Sequence, residues 1–192
     1  AGTLIKSPGV PQDAPAVRAA RAAGVPVLGE LELAWRLLEN QFVAVTGTNG
    51  KTTTTEWIGH IHREAGAPVA VAGNVGTALS SLIGNVSSAA TIVCEASSFQ
   101  LEDTDFFSPE AAVLLNLAPD HLDRHGTYHS YVAAKLRIFA NQGNDDVAVL
   151  PDDLGIEDIG GCARQVLFGR SPGAEVADRA GELWLVDRPL LG

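Results

Sequence analysis

Phe42-Val43-Ala44-Val45-Thr46-Gly47-Thr48-Asn49-Gly50-Lys51-Thr52 decides how the rest of this chain is read. An apolar, β-branched strand ends in a glycine-rich turn bearing Lys and Thr and then enters a helix. That arrangement aims backbone N–H groups, an ammonium and a hydroxyl at one point. It suits a nucleotide polyphosphate and its Mg²⁺. The loop is a short variant, because Val45 stands where the general pattern has its first glycine. Without a ligand, the same residues read as a Gly/Asn turn with a solvated lysine. Thr52 to Thr55 are poor helix formers whose hydroxyls suit a helix start, and Trp57, Ile58 and Ile61 then supply an apolar stripe.

Working outward, strands and helices alternate. Leu4-Ile5 is a strand stopped by Ser7-Pro8-Gly9, residues 15–23 form an Ala-rich helix closed by Gly24, and residues 30–40 form a second helix. Residues 69–71 are a strand ending at Gly73-Asn74-Val75-Gly76, and 77–83 a short helix. Residues 91–94 are a strand ending at Glu95, and 111–115 one ending at Asn116. A helix over 128–140 and a strand over 147–150 follow. From Gln165 the strands shorten, and Asp178-Arg179-Ala180-Gly181 reads as a hairpin turn. Continuous apolar strands alternating with helices predict an α/β fold. Its mostly parallel sheet is flanked by helices, and ligands gather at the carboxyl ends of the strands.

The 192 residues suffice for one sizeable core. A net charge of −10 argues against nucleic acid and against anionic membrane surfaces, since only 13 Lys and Arg are available for a basic patch. No apolar run approaches the roughly 20 residues of a membrane span. Of the 2 cysteines, Cys94 lies inside an apolar strand, so a buried reduced thiol and a cytoplasmic setting are expected. The chain has no Met and begins at Ala1 in what reads as mid-strand, which predicts an internal piece of a longer protein.

Three groups beyond the loop carry chemistry. Glu95 follows a buried strand beside the loop strand, where a carboxylate ligand for a nucleotide-bound Mg²⁺ would stand. The alternative is a strand-end carboxylate capping Ser97-Ser98. His121, His125 and His129 recur every four residues, which on one helix would make a zinc face. Pro119 and Gly126 argue against that helix and favour His121 as the one functional histidine. Lys135 sits at the centre of the stripe Tyr128, Tyr131, Val132, Leu136 and Phe139, with Arg137 opposite. A buried amine there would have a lowered pKa and, beside Mg²⁺, could take up CO₂ as a carbamate ligand. Alternatively it snorkels to water.

Gly47 to Thr52, Gly73 to Gly76, Glu95-Ala96-Ser97-Ser98-Phe99-Gln100-Leu101-Glu102, Asp120 to Arg124 and Ala133 to Arg137 together resemble the Mur ligase family, in order and approximate spacing. The run Ser97 to Glu102 resembles the branch that adds D-glutamate to UDP-N-acetylmuramoyl-L-alanine, and not its sisters. The resemblance implies a P-loop NTPase-like central domain over residues 30–192, incomplete at its end. It implies a short remnant of a Rossmann-like, UDP-binding domain over residues 1–29, with Ser7-Pro8-Gly9 near its end, and no C-terminal amino-acid-binding domain.

It also implies an ATP-dependent ligase of peptidoglycan synthesis, monomeric and acting through an acyl phosphate. Gly47, Thr48, Asn49, Gly50, Lys51, Thr52 and Thr53 would hold ATP. Thr52 and Glu95 would bind one Mg²⁺, and His121 and carbamylated Lys135 a second. Asn74, Ser97, Gln100 and Gly9 would face the UDP-muramoyl substrate. Rival readings are another ligase of this build, such as folylpolyglutamate synthase, and a nucleotide-binding module without ligation. The fragment alone is expected to be inert.

Overall fold

A computed structural model describes residues 2–186 and 188–189 of the chain. The reading of Ala1 as mid-strand and the domain limit at 192 fall outside them. At the N-terminal end, β1 (Leu4–Lys6) and β2 (Val27–Gly29) pair in parallel, joined by α1 (Pro15–Ala22). Proline at the start of α1 and Gly24 in the left-handed region just past its end bound this helix.

The helix α2 (Glu30–Leu37) leads into β3 (Phe42–Thr46), and α3 (Lys51–Glu64) follows the glycine-rich turn. Then come β4 (Val69–Gly73), a 3₁₀ turn at Leu79–Leu82, β5 (Thr91–Glu95), α4 (Ser98–Leu101) and β6 (Ala111–Leu114). After α5 (Leu122–His125) and α6 (Tyr128–Leu136) come β7 (Val147–Pro151), β8 (Arg164–Gly169), β9 (Val176–Arg179), β10 (Glu182–Leu185) and β11 (Arg188–Pro189).

Among the described residues the large sheet has nine strands in the order β11-β10-β9-β8-β7-β6-β3-β5-β4. Pairings from β4 through β9 are parallel, while β9, β10 and β11 pair antiparallel. The α/β class with a mostly parallel sheet is therefore as expected, and the Asp178–Gly181 hairpin turn joins β9 to β10. Because β3 lies between β5 and β6, the chain leaves it toward one edge and later returns on its other side. That reversal opens a crevice at the carboxyl end of β3. Phe42, Ala44, Ile92, Cys94, Ala112 and Leu114 are buried in the core beneath it. Each large apolar side chain so buried contributes about 1.5–3 kcal/mol.

Expectations about three helices need correction, the last being that the helix expected over 128–140 stops at Leu136. The stripe on α3 is not Trp57, Ile58 and Ile61: Trp57 is 69% and Ile61 64% exposed, and only Ile58 is half-buried. Thr55 and Gly59 face the sheet instead, and a Cβ on Gly59 would lie 2.4 Å from Cγ2 of Val71. Helix and strand approach so closely that a small residue, and not an apolar one, sets the helix rotation. The second correction concerns α2, which stops at Leu37 and not at Asn40, with Leu38 already extended. Leaving the helix there lets Asn40 donate to the carbonyls of Ser87 and Ala90 at 2.9 and 2.7 Å. The strand β2 and the short helices α4 and α5 were too brief to register as periodic patterns.

Candidate active site

The turn between β3 and α3 depends on two glycines. Gly50, the residue before α3, has φ +85°, and Gly47 has φ +153° with Leu115 Cβ only 3.0 Å from where its own Cβ would be. Both positions suit glycine alone. The segment after β6 clasps the turn: Asn49 N–H donates to Asn116 Oδ1 at 2.9 Å, and Asn116 Nδ2 donates to the Asn49 carbonyl at 3.1 Å. Thr48 Oγ1 accepts from Ala118 N–H at 2.9 Å and lies 2.9 Å from the Tyr131 hydroxyl. Lys51 curls back, donating to the carbonyls of Gly47 and Thr48 at 3.0 Å each. Thr53 is exposed in the first turn of α3.

Glu95 ends β5 beneath this turn, buried, with Oε2 accepting from Thr52 Oγ1 at 2.7 Å and Oε1 from Asn74 Nδ2 at 3.2 Å. It does not cap Ser97. The β4–β5 register pairs Gly73 with Glu95, and a Cβ on Gly73 would sit 2.2 Å from the Glu95 carbonyl oxygen, which explains the glycine before Asn74. Ser97 caps α4: its Oγ accepts from Gln100 N–H, and Gln100 Oε1 accepts from the Ser97 N–H at 3.0 Å. Gln100 is thus buried as half of a capping box.

His121 precedes α5 in the left-handed region, with φ 50° and ψ 34°, its ring against Phe99 at 4.8 Å. Asp120 Oδ2 lies 3.5 Å from its Nε2. His125 ends α5 and His129 belongs to α6, with Gly126 at φ +75° between them, so the three histidines share no helix. The helix break expected near Gly126 is therefore present. Among the described residues no group of three or more His, Cys, Asp and Glu side chains could hold a metal ion.

Lys135 is 2% exposed, and the stripe around it on the helix and the turn that follows consists of Tyr131, Ala134, Ile138 and Phe139, with Tyr128 half outside it. Its amine donates to the Gly47 carbonyl at 2.8 Å and to Thr46 Oγ1 at 3.4 Å, and lies 4.9 Å from the centre of the Tyr131 ring. Burial first, then the ammonium of Lys51, lowers its pKa to about 7, while Asp120 opposes the shift. The amine is therefore held in water-poor surroundings and does not snorkel out.

Lys51, Asn74, Ser97, His121 and Lys135 line one cavity of about 260 Å³ at the carboxyl ends of β3, β4 and β5. Ser98, Phe99, Asp120 and Tyr131 line it too, although no site role was read for them. Tyr131 carried a usable signal, since it lies one helical turn before Lys135 on the same face. Gln100 and Gly9 are not part of this lining. Gly9 sits in an exposed turn closed by Val10 N–H on the Ser7 carbonyl. The hydroxyl of Thr52 and the carboxylate of Glu95 form an oxygen pair suited to Mg²⁺, which takes one or two carboxylates and completes its shell with water and phosphate oxygens.

Residues 45–179 match the Mur ligase middle domain. The UDP-N-acetylmuramoylalanine–D-glutamate ligase of Pelotomaculum thermopropionicum is 52% identical over 150 residues, covering 78% of this chain and 33% of that protein. The enzyme of the same description from Geobacter metallireducens is 45% identical over 179 residues, covering 93% of this chain and 40% of that protein. This chain thus spans between a third and two fifths of the length of these relatives. Among solved structures, UDP-N-acetylmuramate:L-alanyl-gamma-D-glutamyl-meso-diaminopimelate ligase from Neisseria meningitides matches with a TM-score of 0.65 at 18% identity, over 96% of this chain and 65% of that one. MurF ligase from Thermotoga maritima in complex with ADP matches with a TM-score of 0.62 at 17% identity, over 95% and 52%. At such identities these two likenesses speak for the fold. The middle-domain match extends over most of the chain, with the glycine-rich turn, Glu95, His121 and Lys135 all inside it, and the chain belongs to the Mur ligase family.

Proposed function

We propose that this chain is the nucleotide-handling part of an ATP-dependent ligase that joins D-glutamate to UDP-N-acetylmuramoyl-L-alanine. A carboxylate resists attack by an amine because its oxygen is a poor leaving group. Transfer of the ATP γ-phosphoryl group to that carboxylate gives an acyl phosphate, and the amine of D-glutamate then displaces phosphate, leaving ADP and the new amide. Residues 30 onward act as a P-loop NTPase-like domain. Residues 1–29, with Gly9, belong to a unit holding the uridine nucleotide. The reading is of a cytoplasmic, monomeric enzyme of peptidoglycan synthesis, two of whose three substrates, ATP and UDP-N-acetylmuramoyl-L-alanine, are nucleotides.

In this reading the N–H groups of residues 47–53 and the Lys51 ammonium receive the phosphates of ATP, Lys51 giving up its two carbonyl partners to do so. Thr52 and Glu95 hold one Mg²⁺, and His121 with carbamylated Lys135 a second. When bound, the ions neutralise charge on the transferred phosphoryl oxygens. Asn74 and Ser97 face the carboxylate substrate, while Gln100 acts by fixing Ser97. The single observation that carries the proposal is Lys135, a buried amine on the wall of the cavity that Lys51 and His121 also line. An amine so placed, with its pKa near neutrality, suits carbamate formation and has no purpose in a bare nucleotide-binding module.

The test is ADP release by the intact protein. It should require UDP-N-acetylmuramoyl-L-alanine and D-glutamate together, and Lys51→Ala should slow it by about 10²–10³-fold. Release driven instead by a folate and L-glutamate would favour the folylpolyglutamate synthase alternative. Nucleotide binding with no substrate-dependent release would favour the binding module.

A further inference from the structure

Behind the wall of the cavity a buried imidazole connects a serine to an acid. Ser98 lines the cavity but is 2% exposed, and its Oγ lies 3.0 Å from Nε2 of His125. The His125 side chain is 4% exposed and packs between the rings of Phe99 and Tyr131, each 5.5 Å away. On its far side Nδ1 is 3.8 Å from Oε2 of Glu102. Glu102 is itself held by its other oxygen, which accepts from Gln12 Nε2 at 3.1 Å and from the Arg124 guanidinium. Arg124 in turn stacks on Phe99 at 4.2 Å.

Burial lowers the pKa of His125; Glu102 opposes that shift, and Arg124, His121 and Lys135 add to it. The ring is therefore neutral around pH 7 and carries a single N–H. Oε2 of Glu102 is too far from Nδ1 for a direct hydrogen bond, but its negative charge on that side of the ring favours the N–H at Nδ1 and leaves the lone pair on Nε2. The Ser98 hydroxyl then has one good acceptor, Nε2, and donates to it. Its own oxygen lone pairs are left for the cavity.

We infer that His125, backed by Glu102, is a positioning residue that turns the Ser98 hydroxyl so that its oxygen offers the cavity a hydrogen-bond acceptor for an N–H of the carboxylate substrate. The inference rests on the ligase reading, in which the substrate carboxylate belongs to an amino acid attached through an amide. That amide supplies an N–H close to the reacting carbon. An acceptor at Ser98 would discriminate an amide-linked substrate from an ester or a bare hydroxy acid of the same shape.

The test uses the intact protein and a double-mutant cycle. Ser98→Ala and His125→Phe should each raise KM for the UDP-muramoyl substrate about tenfold, with kcat and KM for ATP little changed. The double variant should be no worse than either single one, because one interaction has been removed twice. Nitrogen-15 NMR of the His125 ring should show the proton on Nδ1, shifting toward Nε2 in Glu102→Ala. That variant also keeps the test available if His125→Phe does not fold. Additive costs in the cycle, an unmoved KM in His125→Phe, or a wild-type ring protonated on Nε2 would overturn the inference. A wild-type protein that forms no amide would count against the ligase reading instead, and the NMR result would still decide how Ser98 is turned.

Discussion

Lys51 and Lys135 donate to the same carbonyl oxygen, that of Gly47, at 3.0 and 2.8 Å. They reach it from different helices, α3 and α6, so two amines far apart in sequence end within one shell of a single backbone group. The arrangement stitches α6 to the glycine-rich turn. It also sets the electrostatics of Lys135, because the Lys51 ammonium adds to burial in disfavouring a second charge beside it.

Stability should depend on pH through Lys135. Its pKa is lowered from 10.5 to about 7 in the folded chain, so between those values the unfolded chain binds the extra proton and stability rises with pH. Below about pH 7 the amine is charged in both states and the cost of burying it is complete. Urea unfolding of Lys135→Met and wild type at pH 7 and pH 9.5 checks this, and the variant should lose the part of the rise due to this group. Lys135→Ala should nearly abolish ligation, with partial return on adding short carboxylic acids that fill the vacated volume; full activity without them would count against the carbamate role.

Glu95 receives Thr52 on one oxygen and Asn74 on the other, so replacing it disturbs both. In Glu95→Ala the Mg²⁺ concentration for half-maximal ATP-dependent turnover should rise about tenfold, the loss of one charged oxygen ligand. A magnesium titration superimposable on wild type would show that the carboxylate serves only to place Thr52 and Asn74.

Gly73 tolerates no side chain, since φ is +132° and a Cβ would meet the Glu95 carbonyl oxygen at 2.2 Å. Gly73→Ala should cost about 1–3 kcal/mol or more, read from the urea midpoint, as the strand end shifts to relieve the overlap. Gly76→Ala is the control for added bulk at a positive φ without a neighbour, as nothing lies within 4 Å of that position.

Glu32 is fully buried on α2 and accepts the N–H groups of Asp105, Phe106 and Phe107, with Arg36 alongside at 2.7 Å. It closes the loop between α4 and β6. Glu32→Ala should destabilise the fold by about 3–5 kcal/mol, chiefly because three N–H groups lose their acceptor, while Arg36 keeps Asp105 at 3.9 Å. Glu32→Gln, which keeps an acceptor, should lose distinctly less in the same urea measurement.

The order of strands and helices and the glycine-rich turn could be read from residue order alone, because apolar periodicity and glycine punctuation are local. The place of Lys135 at the centre of an apolar stripe could be read in the same way, but the choice between burial and reaching out to water could not. What the local pattern could not supply was the rotation of α3. Trp57 and Ile61 look like a core stripe, yet Gly59 lets the helix settle against Val71 and turns them outward. Nor could that pattern show that Gln100, which the resemblance sets toward the substrate, also closes a capping box with Ser97.

By itself, the sequence determined which side chains have the chemistry for a phosphate, a cation and a carboxylate, since that depends only on their identity and their place at strand ends. Only tertiary structure decided that Lys51, Asn74, Ser97, His121 and Lys135 share one cavity. It also placed His125, which the sequence set aside in favour of His121, beneath that cavity against Ser98 and Glu102. The physical reason is the strand order. Placing β3 between β5 and β6 folds together segments separated by up to 89 residues, as in the Lys135–Thr46 contact, and no local periodicity encodes so distant a meeting.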